Sequence, residues 1–295
     1  MTDHLPVLAA EVVQQLRPER GGVFVDCTVG LGGHSSALLA AGAERIIGLD
    51  RDQDALGGAR VKLAPWLQRV DFVHSDFRAL DSVLDRLGVP LVDGALADLG
   101  VSSLQLDAPG RGFSFQRDEP LDMRMDRTGG ETAADLIARS TERELADVIF
   151  QYGEERYSRR IARAIVTARR DARIESTGRL AAIVRRVVPR AGRFRIDPAT
   201  RTFQAFRIWV NRELEGLDRF LEAAACRLRS HARLVVITFQ SLEDRIVKHT
   251  FRALERDRSM TVLTKKPILP TDEEIRRNPR ARSAKLRAAE RTAES

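Results

Sequence analysis

Within the first hundred residues, four short apolar runs alternate with helical segments. VFVDCTV (23–29), RIIGLD (45–50), VDFVHSDF (70–77) and VDGALADLG (92–100) have the length and the β-branched and apolar content of buried strands. SSALLAAG (35–42), DALGGARVKLAPWL (54–67) and ALDSVLDRLG (79–88) separate them and carry helical spacing. Parallel strands need crossovers of this kind, so the alternation predicts an open parallel sheet with helices on both faces.

The alternation stops at Gly100, and residues 101–130 show neither period. An irregular stretch of that length in a compact domain is usually functional or disordered, and its glycines, aromatic residues and mixed charges favour an ordered functional loop. Helical periodicity runs from Thr132 to Glu215, after which NRELEGLDRFLEAAACRL (211–228), RLVVITF (233–239) and SLEDRIVKHTFRAL (241–254) resume the α/β pattern. TVLTKKPIL and SAKLRAAERT are expected to close the sheet as a pair of edge strands. The expected architecture is α/β, with a discontinuous domain of residues 1–130 and 206–295 and an all-helical insertion at 131–205. Phe203, Phe206 and Trp209 are expected to pack that insertion against the main domain.

Charge is distributed unevenly. Between Gln151 and Glu215, 16 Arg and no Lys stand against 7 acidic residues, whereas the whole chain carries +7. Clustered Arg is the footprint of a phosphate-rich partner, the plainer reading being solvated helix faces. Cys27 and Cys226 have neither metal nor redox spacing, and no His or Cys cluster suits a metal, so reduced thiols in a cytoplasmic protein are expected. No apolar run approaches the roughly 18 residues of a membrane span, and the N-terminus is not that of a signal peptide.

The turn after the first run fails two phosphate-binding patterns. With Gly30 and Gly32 as the first glycines of G-x-G-x-x-G, Ser35 occupies the third place, and no G-K-S or G-K-T follows. Asp26-x-x-x-Gly30-x-Gly32-Gly33 instead resembles the first motif of class I S-adenosylmethionine-dependent methyltransferases. Glycines let backbone approach a cofactor, and a strand-end carboxylate can reach its ammonium group directly or through water. Asp50, ending the second strand, is placed to accept from both ribose hydroxyls of an adenosine cofactor, NAD included. At the end of the third strand, Asp76 could take the adenine amino group, or Phe77 could pack on the ring.

Eight segments then match one family in order: HLPVL (4–8), DCTVGLGGHS (26–35), DLGVSSLQLD (98–107), RGFSF (111–115), PLDMRMD (120–126), TRTFQAFRIWVNREL (200–214), SLEDRIVK (241–248) and NPRARSAKLRAAER (278–291). Together they resemble the bacterial ribosomal RNA small subunit methyltransferase H family. The resemblance implies a Rossmann-like methyltransferase domain with a helical insertion. It implies S-adenosylmethionine-dependent N4-methylation of a 16S rRNA cytidine in the decoding region, with the assembled small subunit as partner. It makes Gly32, Gly33, His34, Asp50, Phe77, Asp98 and Gln105 cofactor contacts. Two departures from the family pattern stand out. Gln240 occupies a place where the family usually has His, so a mechanism needing that His as a base is in doubt, and SHARL (230–234) replaces a Pro-Gly-Gly type turn.

Cytosine N4 is a poor nucleophile because its lone pair is delocalised, so acceptors that hold its hydrogens and take its proton are needed. Asp98, helped by Ser102 or Ser103, is the candidate for this, with a purely cofactor-binding Asp98 as the alternative. Phe113 and Phe115 are candidates to stack on an extruded base or, equally, to pack their loop. Arg156, Arg159, Arg160 and Arg163 are candidates to hold rRNA phosphates. A NAD-dependent dehydrogenase lacks the third glycine, a small-molecule methyltransferase leaves the basic insertion unexplained, and an RNA-binding assembly factor without catalysis leaves the glycine turn unexplained.

Overall fold

The computed structural model describes residues 6–189 and 197–293. The first hundred residues hold α1 (Ala9–Leu16), β1 (Val23–Asp26), α2 (Gly33–Ala40), β2 (Arg45–Asp50), α3 (Gln53–Lys62), β3 (Val70–His74), α4 (Leu80–Arg86) and β4 (Val92–Asp98). Next come the helices α5 (Ser103–Asp107), α6 (Ala133–Arg139), α7 (Glu142–Gly153), α8 (Ser158–Asp171), α9 (Thr177–Val187) and α10 (Ala199–Asn211). The α/β pattern returns with α11 (Leu217–Cys226), β5 (Leu228–Thr238), α12 (Ser241–Arg256), β6 (Met260–Val262), α13 (Asp272–Arg277) and β7 (Lys285–Arg291). No helix among the described residues is long and apolar enough to cross a membrane.

The strands form one sheet in the order β3-β2-β1-β4-β5-β7-β6. β1 to β5 are parallel, as the alternation predicts, and β7 is antiparallel to both neighbours. This corrects one expectation: residues 285–291 lie inside the sheet between β5 and β6, and β6 alone forms that edge. Side chains alternate along the strands, so Val25 and Ile47 enter one core with Leu84 of α4, Phe220 of α11 and Phe251 of α12. Phe24 and Ile46 enter the opposite core with Leu16 of α1, Leu38 of α2 and Leu286 of β7. Phe24 pairs with Gly94 in register, and a Cβ at Gly94 would lie 2.6 Å from the Phe24 ring. That strand therefore needs glycine where the large ring crosses it.

The chain divides into two compact units, one of residues 1–100 and 214–295 and the other of residues 101–213. The division falls at 100/101 and 213/214, where the sequence reading expects 130/131 and 205/206. The reason lies in the irregular stretch, whose Leu121 and Met123 sit in one core with Leu145, Ile161, Leu180 and Phe206. Leu121 N donates to Glu175 O at 2.8 Å, Glu119 N to Thr177 Oγ1 at 3.0 Å and Gly178 N to Asp118 Oδ1 at 2.8 Å. The loop is held by the helices that follow it. Phe203 and Phe206 likewise belong to this unit's own core, where α10 packs on α7, and Trp209 lies against them. They do not sit in the core of the sheet domain.

Candidate functional site

The order of strands reverses between β1 and β4, and in sheets of this kind ligands bind outside the carboxyl ends of the strands at that reversal. The first glycine turn lies there. Asp98 N, at the end of β4, donates to Thr28 Oγ1 at 2.6 Å and ties the two strand ends together. Gly30 N donates to Asp50 Oδ2 and Asp52 N to Asp50 Oδ1, each at 2.8 Å, so the end of β2 holds the turn from the other side. Asp26 is 1% exposed and accepts from Ser35 Oγ at 2.7 Å and Thr28 N at 3.2 Å. Its carboxylate braces the turn from within, which makes it a support of the site and not a surface for a ligand's ammonium group.

Three carboxylates therefore ring Gly30–His34. Burial raises Asp26 and, more strongly, Asp50, which is pushed up to about 6 although two backbone N–H groups favour its charged form. His34 Nε2 lies 3.4 Å from Asp98 Oδ2. Burial would lower the imidazole's pKa, but Asp98 and Asp26 outweigh it and raise the value. Both His34 ring nitrogens and Asp98 Oδ1 are buried without a hydrogen bond in the protein. Buried polar atoms are rarely left so, which makes these the groups a ligand would complete. A ring of carboxylates at the turn repels a pyrophosphate and suits a cation, so the donor set fits a sulfonium cofactor with ribose hydroxyls.

The glycines serve the turn itself more than the ligand. Gly30 and Gly32 have positive φ, and a Cβ at Gly32 would press on Leu63 at 3.0 Å. A Cβ at Gly33 would meet Pro6 at 3.1 Å. Pro6 precedes Leu8, whose N–H donates to Glu274 Oε1 of α13 at 2.7 Å. Segments from both ends of the sequence thus back the turn. Thr28, Pro6 and Glu274 escape a search for ligand-facing chemistry because they act on backbone, and Ser35 because it acts on the buried Asp26, although Thr28 and Ser35 stand inside DCTVGLGGHS.

Other expected residues have partners within the protein. Phe77 packs on Phe220 with ring centroids 4.7 Å apart. Asp76 is clamped by Arg78, Nε and Nη2 each at 2.7 Å, which lowers its pKa against the effect of burial. Gln240 Nε2 donates to Glu243 Oε1 at 2.8 Å, and Glu243 Oε2 accepts from Phe239 N, so this Gln closes the start of α12.

In the second unit, Ser102 and Gln105 form a capping box: Gln105 N donates to Ser102 Oγ at 3.3 Å and Ser102 N to Gln105 Oε1 at 3.0 Å. Gln105 is itself buried, and both residues shape the start of α5. The Ser103 side chain lies outside the described side chains. Phe113 is buried beneath Arg111, and Phe115 meets Phe203 edge-on at 4.8 Å under Arg185. These contacts are those of packing, one of the two roles the sequence leaves open for the rings. Arg156, Arg159, Arg160 and Arg163 are exposed on and before α8, with Arg156 over the Tyr157 ring and Arg163 beside Glu142.

Comparison with known proteins follows the same line. Residues 1–292 match the model of the MraW methylase family. A ribosomal RNA small subunit methyltransferase H from Sorangium cellulosum is 52% identical across 98% of this chain and 90% of its own length. One from Cyanothece is 53% identical across 98% and 94%. Among solved structures, an rRNA methylase from Streptococcus thermophilus is similar with a TM-score of 0.44 and 12% identity, over 97% of this chain and 94% of its own. With residues 1–292 of 295 matched by the family model and about half its residues shared with these relatives, the chain belongs to the MraW methylase family.

Proposed function

We propose that this protein methylates N4 of a cytidine in the decoding region of 16S rRNA, using S-adenosylmethionine and acting on the small ribosomal subunit in the cytoplasm. The observation that carries the reading is the acidic ring around Gly30–His34 at the strand reversal, with Asp98 Oδ1 buried and unpartnered. The relatives' names add the RNA and the subunit. The cofactor supplies an electrophilic methyl group on a positively charged sulfur. Asp50 would accept its ribose hydroxyls with the lone pairs that the Gly30 and Asp52 N–H groups leave over, and Asp98 would help to hold its positive charge. Asp98 also accepts an N–H of the target amino group, turns the nitrogen's lone pair outward and takes the proton that the amino group gives up. Gln240 carries no proton near neutral pH, so it has no part in that transfer. The helical unit recognises rRNA through the exposed arginines of α8, with phosphates positioning and not specifying the substrate.

The direct test is transfer of labelled methyl from S-adenosylmethionine to small subunits lacking the modification, with the product nucleotide mapped by mass spectrometry. Label on the N4 of one 16S cytidine is expected. Binding without transfer would make the protein an assembly factor, and stabilisation by NAD instead of S-adenosylmethionine would make it a dehydrogenase.

Asp50 adds a pH dependence. Its raised pKa means that the free protein prefers the neutral acid below about 6. The native state then binds more protons than the unfolded chain, so this group's contribution to stability declines as pH rises from the ordinary Asp value through about 6. Two ribose hydroxyls need the charged acceptor. Cofactor affinity is therefore expected to plateau above pH 6 and to fall by up to about tenfold per pH unit below it, the limit for one coupled proton. Calorimetric titration across that range checks this, and Asp50→Asn is expected to bind weakly with the step removed.

A further inference from the structure

Where α12 packs on β6 and β7, the sheet unit carries a groove of about 260 Å³ that the proposed chemistry leaves unused. Lys248 and Arg252 of α12, Lys265 just beyond β6 and Arg287 of β7 line it, with Glu255 the single acid. Arg287 is nearly buried, and its Nε donates to Asp244 Oδ1 at 2.7 Å, which fixes the guanidinium in the groove. Glu255 Oε1 accepts the N–H of Val262 at 3.1 Å. Among the described residues, no carboxylate pairs with Lys248, Arg252 or Lys265.

Lys248, Arg252 and Lys265 converge from two chain segments with Glu255 as the single acid in the groove, so their mutual repulsion is only partly offset and an anion there relieves the rest. The positive charge continues beyond the groove. Arg245, Lys248, Arg252 and Arg256 recur every three or four residues along α12, a stripe of about 16 Å at helical rise. A single small anion fills one place on such a stripe, whereas a polyanion fills its length. Phe251, the only aromatic residue lining the groove, is buried, so no exposed ring is offered to a base.

We infer that this groove and the α12 stripe bind the phosphate backbone of RNA, giving the sheet unit an RNA contact separate from the arginines of α8. The inference rests on the RNA-methylating reading and names a second place where that substrate is held. Lys248, a residue of the SLEDRIVK segment, then has a role outside the catalytic machinery.

The test is the triple variant Lys248→Gln, Arg252→Gln, Lys265→Gln in the full chain. Anisotropy with a short single-stranded RNA is measured over a range of salt, beside methyl transfer to small subunits. RNA affinity is expected to fall at least about tenfold, with a salt slope shallower by about 2, since three contacts contribute roughly 0.7 each. KM for small subunits should rise while kcat, cofactor affinity and Tm stay unchanged, and Lys248→Arg, Lys265→Arg should keep wild-type binding. Unchanged affinity and slope in the triple variant, in protein of unchanged Tm, would overturn the inference. So would loss of binding to inorganic phosphate alone, with RNA binding intact. If the wild type binds RNA with the steeper slope but methylates no subunit, the groove stands and the proposed activity falls.

Discussion

Asp98→Asn is expected to slow methyl transfer by about two to four orders of magnitude, the range in which a positioned proton acceptor contributes. The same change should weaken S-adenosylmethionine binding by less than about tenfold, because the amide keeps the size of the carboxylate and one acceptor oxygen. The separation follows from the position of the group. One oxygen of Asp98 lies 3.4 Å from His34 Nε2, the other is buried with no partner, and the backbone N–H is anchored to Thr28. The residue is therefore held in place while one oxygen remains available. An amide offers an acceptor but cannot take the proton of an attacking amino group. Single-turnover transfer to unmodified small subunits measures the rate, and calorimetry measures the cofactor. Near-normal turnover would reduce Asp98 to a cofactor contact. A second signal accompanies the loss: His34, raised by Asp98 against the effect of burial, should titrate lower in the variant when followed by NMR.

Asn211→Asp is expected to destabilise the helical unit by about 2–6 kcal/mol at neutral pH, from two buried carbonyls that each lose a donor at about 1–3 kcal/mol. Asn211 is buried at the end of α10, where its Nδ2 donates to Met123 O at 2.7 Å and Arg207 O at 2.9 Å and its Oδ1 accepts from Met125 N at 2.8 Å. One side chain thus fastens PLDMRMD to TRTFQAFRIWVNREL. The substituted carboxylate is nearly isosteric, but turns both donated bonds into oxygen–oxygen contacts in a place water does not reach. Urea unfolding followed by a probe in residues 101–213 measures the loss. Part of it should return at low pH, when the acid is protonated and can donate once. A midpoint equal to wild type would show that the loop is held elsewhere.

The parallel half of the sheet was legible because its signal is local: apolar runs with helical crossovers, an acid closing β2 and another closing β4. Residues 285–291 look like an edge strand in the sequence because LRAAE is the same with one neighbour or two. Only its register with Leu234–Thr238 on one side and Met260–Val262 on the other puts it inside. The boundary of the helical unit, at 100/101 and not 130/131, has no local signal for a related reason. Residues 101–130 have no period, and bonds such as Glu119 N to Thr177 Oγ1 join positions 58 residues apart. At the site, the acids Asp50 and Asp98 and the turn glycines were legible as chemistry. The supporting roles of Pro6, Thr28 and Glu274 were not, since each works through backbone contacts that no spacing announces. For Phe113 and Phe115 the sequence leaves stacking and packing open, since aromatic residues in a glycine-rich loop look the same in either role until their neighbours, such as Phe203 and Arg111, are placed.

The antiparallel β7 between β5 and β6 has a consequence for synthesis. A ribosome delivers the chain from its amino end, so all of residues 101–213 emerge before β5 exists, and their core draws on nothing made later. The sheet is different: β5 must wait with one flank open until residues 285–291 leave the exit tunnel. Newborn copies of this protein therefore pass through a stage in which the insertion can be complete while its host is still unfinished.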